Sequence, residues 1–143
     1  MTEDVMISMR GLQFDQSEID AENVETIIIG KYFFEEETGC HHIEYDEMLE
    51  GFDESTHNIL EFGEQSLELT RSGLINVHMV FDVSHKNLTN YVTPFGAILI
   101  GIDTQKIHIT QEPEEITVDV EYTLDINYEY LSNCKIEIKI KSI

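Results

Sequence analysis

The sequence has no tryptophan, two prolines, two cysteines and only eight lysines and arginines among its 143 residues. Each scarcity removes a class of protein. Cys40 and Cys134 lie far apart and without CxxC spacing, so a disulfide scaffold does not fit and two reduced thiols are expected. No window comes near the roughly 18 consecutive apolar residues of a membrane helix. The opening Met1-Thr2-Glu3-Asp4 carries no basic segment leading into an apolar one, so no secretory signal is read and a cytoplasmic location is expected. The shortage of cations, set against 29 acidic residues, leaves a net charge of -21. Such a field repels phosphate backbones and lipid headgroups, which argues against nucleic acid and membrane surfaces as partners.

The acidity is uneven. Residues 1–64 hold 18 acidic and 2 basic residues, and residues 65–143 hold 11 and 6. A basic protein partner would be drawn to the first half, although a solvated acidic surface that favours solubility accounts for the same excess.

Helical periodicity is nearly absent, and a period of two dominates. Ile75, Val77, Met79, Phe81 and Val83 make one apolar face opposite Asn76, His78 and Asp82. Ile116, Val118, Val120, Tyr122, Leu124 and Ile126 face away from Thr117, Asp119, Glu121, Thr123 and Asp125. Cys134, Ile136, Ile138 and Ile140 alternate with lysines and a glutamate, as a strand protected against edge pairing would. The run from Glu25 to Phe34 is apolar on both parities, which suggests burial on much of both faces. Gly101 suggests a bulge or bend within the long strand from Ala97 to Ile109. Only Asp46 to Thr56 could hold a helical turn.

This pattern predicts an all-β chain: one domain over residues 1–143, an up-and-down antiparallel barrel of about eight to ten strands. Barrels of this size hold either a packed core or one small ligand. The turn Arg71-Ser72-Gly73, the strand Met79-Val80-Phe81 and the turn Thr93-Pro94-Phe95-Gly96 together resemble the YwiB-like family of small bacterial proteins of unknown function. The strands Val5-Met6-Ile7-Ser8-Met9 and Ile43-Glu44-Tyr45 fit the same likeness, which spans most of the chain. The resemblance implies a calycin-like barrel of the lipocalin and fatty-acid-binding kind, with no established activity or ligand.

Arg71 is the residue to follow. It alternates with Glu68, Thr70 and Ser72 and shares a strand face with Leu67 and Leu69, so a guanidinium is placed among apolar side chains. Burying it is costly unless an anion or well-placed acceptors meet it. An inward Arg in an apolar barrel can neutralise a ligand carboxylate; equally, it can bond loop carbonyls or an inward carboxylate such as Glu47. Tyr45, Met79, Phe81 and Tyr122 lie on the expected inner faces and either line a pocket or fill the barrel. Ser72 and Gly73 close one turn at the barrel end. Thr93, Pro94, Phe95 and Gly96 form another, in which Pro94 fixes φ, Gly96 permits positive φ and Phe95 could plug the barrel.

Catalytic signatures are missing: there is no GxSxG elbow, phosphate-cradling glycine loop or nucleotide fingerprint. No catalytic residue, cofactor or metal is expected. Of the six histidines, His41 and His42 are adjacent and point to opposite faces of a strand, so they cannot easily share an ion. The leading expectation is therefore a barrel that binds a small, partly apolar, anionic ligand in or at its mouth. The alternative is an acidic interaction or regulatory module with a filled barrel, and a small hydrolase or isomerase ranks last. A homodimer through the Glu25 to Phe34 run is compatible with either of the first two.

Overall fold

The computed structural model describes residues 1–11, 25–48 and 51–143. Ten strands follow one another: β1 (Asp4–Arg10), β2 (Glu25–Glu35), β3 (Cys40–Met48), β4 (Ser55–Phe62), β5 (Ser66–Gly73), β6 (Val77–Asp82), β7 (Asn87–Thr93), β8 (Gly96–Glu112), β9 (Glu115–Ile126) and β10 (Glu129–Ser142). They form one antiparallel sheet in the order β6-β5-β4-β3-β2-β1-β10-β9-β8-β7. Every neighbour is a sequence neighbour except β1 and β10, which bring the two ends of the chain together. The sheet curls until its edge strands β6 and β7 meet, held by isolated bridges at Asn76–Val92 and Asp82–His85. This is the up-and-down barrel that the alternation predicts, closed everywhere but along a seam between β6 and β7.

The inner face is the core. Ile7, Ile43, Leu60, Leu67, Leu69, Met79, Phe81, Ile100, Ile102, Val118 and Ile138 are all inaccessible to solvent. They come from eight different strands, so each strand contributes its apolar parity to one common interior. Phe81 and Tyr122 meet edge to face across it, with ring centroids 5.0 Å apart.

Several sequence expectations need correction. β2 is buried on one face only: Ile27, Ile29 and Phe33 are each more than half exposed, because the outer wall there has no second layer over it among the described residues. The irregularity in β8 falls between Thr104 and Lys106. Gly101 stays in register with Leu88 and Asp125, and the side chains of Leu88, Lys86 and Asp125 crowd the space a Cβ would fill. The lysine-bearing strand β10 is no edge, since β1 and β9 flank it. The expected helical turn at 46–56 is absent among the described residues, with Asp46 to Met48 in β3 and Ser55 opening β4; residues 49 and 50 lie outside the described set.

Candidate anion-binding end of the barrel

Antiparallel order sends the connections β3–β4, β5–β6, β7–β8 and β9–β10 to one end of the barrel, and Arg71 lies two residues before the β5–β6 connection. Register places Tyr45, Asn58, Arg71 and Val77 side by side on β3, β4, β5 and β6. All four point inward and all are buried, Arg71 at 7% exposure and Asn58 at 0%. The inner parity of these strands is apolar over most of its length. At this row, one short of the rim, Asn58 and Arg71 bring polar groups onto it.

Arg71 Nη1 donates to the Tyr91 hydroxyl at 3.1 Å. Tyr91 is itself only 3% exposed and belongs to β7, beyond β6. Tyr45 stands on the other side, its hydroxyl 3.5 Å from the Met9 sulfur. Burial pushes the Tyr45 phenol well above its ordinary value; the Arg71 cation pulls it down and Glu47 pushes it up, so all three share one electrostatic environment. Asn58 Nδ2 donates to the Thr56 carbonyl at 3.2 Å, and its Oδ1, also buried, has no hydrogen-bond partner among the described residues. The row nearer the rim holds Glu47, Thr56 and Gly73 in register. A guanidinium, two phenols, a carboxamide and an inward carboxylate thus converge where the apolar core stops.

The turns at this end behave as local chemistry requires. Gly73 has φ of 132°, and a Cβ there would lie 2.3 Å from the Ser55 carbonyl oxygen, so no other residue fits without displacing β4. Asn76 clamps the same turn, accepting from Gly73 N–H at 3.2 Å and donating to Gly73 O at 2.8 Å. Ser72 points outward and is exposed, opposite His57. Thr93 and Gly96 pair around the two-residue loop Pro94–Phe95. Thr93 Oγ1 accepts from Phe95 N–H at 3.1 Å and donates to Gly96 O at 3.0 Å, and Gly96 has the positive φ the turn demands.

Phe95 does not plug the barrel. A two-residue loop leaves its tip outside the wall, and the ring is 88% exposed. Its contact is with Phe52 of the β3–β4 connection, edge to face with centroids 6.0 Å apart. Two connections that are distant in the sheet therefore touch at the Arg71 end.

Of the residues singled out in the sequence, Arg71 and Tyr45 belong to this cluster. Met79, Phe81 and Tyr122 lie deeper, at 0–1% exposure, a value that leaves no water-sized void against them. Sequence reasoning missed Asn58 and Tyr91. Asn58 was legible by parity, two residues before Leu60 and four before Phe62 on the same face. Tyr91 was not, because its strand puts Leu88 and Val92 outside. The opposite end of the barrel is different in kind: a groove bordered by Met1, Glu3, Tyr32, Phe34, Glu112 and Pro113, with no lysine, arginine or histidine side chain among them.

The comparisons with known proteins agree with this architecture. Residues 7–138 match the family model described as a domain of unknown function, DUF1934. The chain belongs to this family. The crystal structure of the ywiB protein from Bacillus subtilis is similar throughout, with a TM-score of 0.74 over 99% of this chain and 92% of that one at 15% identity. At that identity the likeness establishes the shared ten-stranded barrel fold and no activity. No curated protein matches the chain.

Proposed function

We propose that this DUF1934 protein binds a small, partly apolar molecule carrying one anionic group, held at the mouth of the barrel by Arg71. The observation that carries the reading is the buried guanidinium on the inner row, flanked in register by Asn58 and Tyr45 and bonded to Tyr91. An ionised carboxylate accepts two parallel N–H bonds from a guanidinium, and in a site of low polarity such a pair is stronger than at a surface. The Tyr45 and Tyr91 hydroxyls offer further donors, and Asn58 Oδ1 would accept from a hydroxyl or amide on the ligand. Close packing of Met79, Phe81 and Tyr122 restricts the ligand to the mouth, with its apolar part against Phe52 and Phe95 rather than along the barrel axis.

Octanoate is a suitable probe. Titration followed by heteronuclear NMR is expected to shift the Asn58 carboxamide and the backbone around Arg71 and Tyr91. Octanol, which keeps the chain and loses the charge, is expected to leave them in place. Equal shifts with both probes, or shifts confined to the outer wall, would dismiss the carboxylate role of Arg71.

One observation favours a second reading. The interior is filled to 0–1% exposure at Met79, Phe81, Tyr122 and Leu124, as expected of an acidic interaction module that needs no ligand. Capture of a basic protein that is lost at high salt, from a variant lacking Arg71, would favour that module.

A further inference from the structure

The strand register assembles a second group of donors on the outer wall, near the opposite end. Cys40 and His42 are two apart on β3, so both leave the sheet on its outer face. His42 is paired with Glu61 on β4, and Cys40 with Glu35 on β2. Three adjacent strands thus present a thiol, an imidazole and two carboxylates to one patch. The Cys40 Sγ, a ring nitrogen of His42 and a carboxylate oxygen of Glu61 all lie within 4.8 Å of one another.

We propose that Cys40, His42 and Glu61 are the protein ligands of a zinc ion, with Glu35 orienting His42. Donors around tetrahedral zinc, at bond lengths of about 2.0–2.3 Å, stand about 3.5 Å apart, so side-chain rotation alone closes the shell while the sheet holds the backbone. The imidazole is prepared for it. His42 Nε2 faces Glu35 Oε2 at 3.3 Å, and Nδ1 faces Glu61 Oε2 at 3.7 Å. A proton on Nε2 shared with Glu35 leaves the Nδ1 lone pair on the Glu61 side, the carboxylate–histidine–metal arrangement of zinc sites. Phe33 stacks on the ring at 4.6 Å, with planes 9° apart, and fixes its orientation.

The donor set selects the metal class. Sulfur and nitrogen ligands suit zinc and its first-row neighbours, whereas calcium and magnesium require oxygen shells. Glu68, paired with Glu61 on the same outer face, adds a third carboxylate to a patch that a divalent cation would neutralise. With His42 mostly buried and Glu61 partly exposed, a fourth position opens to solvent. Binding converts the Cys40 thiol to the thiolate and releases its proton to water. The zinc site stands at the end of the barrel remote from Arg71 and does not depend on the ligand reading.

The test uses chelator-treated full-length protein and zinc alone in equilibrium dialysis, with cobalt(II) as the spectroscopic substitute. The expected result is one zinc per chain and, with cobalt, a near-ultraviolet thiolate-to-metal charge-transfer band. Both should be lost in Cys40→Ser and in His42→Asn and kept in Cys134→Ser. Glu35→Gln is expected to weaken zinc by about 10- to 100-fold while retaining the band. Absence of stoichiometric zinc at micromolar concentration overturns the proposal. So does zinc binding of unchanged affinity in Cys40→Ser, or a cobalt complex without the thiolate band, a measurement on the unmutated chain that no folding defect can obscure.

Discussion

The guanidinium of Arg71 on β5 reaches past β6 to the hydroxyl of Tyr91 on β7, at 3.1 Å. β6 and β7 are joined by bridges only at their two ends, so this bond ties the two halves of the sheet across the seam from inside. Arg71, the proposed anchor of an anion, therefore also helps to close the barrel.

Removing the acceptor should be more harmful than removing the charge. Tyr91→Phe leaves a buried N–H of a cation without its phenol, at a cost of about 1.5–3 kcal/mol for a hydrogen bond to a charged group. Arg71→Met removes the desolvated charge itself and fills similar volume, so it should cost less than Tyr91→Phe. Urea denaturation of both variants measures the order, and the reverse order would make Arg71 a structural residue first.

The tightness of the interior has its own consequence. Phe81 is wholly buried and packs edge to face on Tyr122. Phe81→Ala should lower stability by about 3–5 kcal/mol, the range for emptying a packed aromatic site. A loss below about 1 kcal/mol in the same urea experiment would mean that the barrel already contains slack around this ring.

Gly73 makes a backbone prediction. Gly73→Ala places a methyl group against the Ser55 carbonyl at a φ of 132°, so it should destabilise by at least about 2 kcal/mol. Gly39, with φ of 70° and open space around it, is the control, and Gly39→Ala should cost clearly less.

Alkaline titration reads the Arg71 end directly. The Tyr45 phenol is raised in the folded chain, chiefly by burial. The folded state therefore holds this proton more tightly than the unfolded chain, whose phenols titrate near pH 10. The stabilisation is fully present below that pH and is lost as pH rises through the folded value. Tyr45→Phe should flatten the fall in stability above about pH 10, as monitored by thermal melts across the alkaline range. Identical slopes in the two proteins would contradict the buried assignment.

Much of the fold was legible in the sequence, and the reason is visible in β9 and β10. From Ile116 to Leu124 and from Ile136 to Ile140 apolar residues occupy alternate positions without a break, and the same positions are buried. β2 misled, because its isoleucines and phenylalanines occupy both parities while only one faces the core. Arg71 was legible since a cation on an apolar parity is conspicuous. Its partners were not: Tyr91 sits in a strand whose apolar residues Leu88 and Val92 are turned outward, and the contact crosses a seam that only closure of the barrel creates. Phe95 is the converse case, an aromatic tip that local sequence assigns to the interior and hairpin geometry keeps outside. The Cys40-x-His42 spacing is visible in the sequence as well, but its carboxylates come from two other strands and are brought to it only by the strand register.

The central claim is that Arg71 holds an anionic ligand at the mouth of the barrel, and native mass spectrometry of protein purified without refolding tests it most directly. The predicted result is a small co-purifying mass that disappears on denaturation and is missing from folded Arg71→Met. A chain that carries no such mass and gives no octanoate response, or a mass retained unchanged in Arg71→Met, would contradict it.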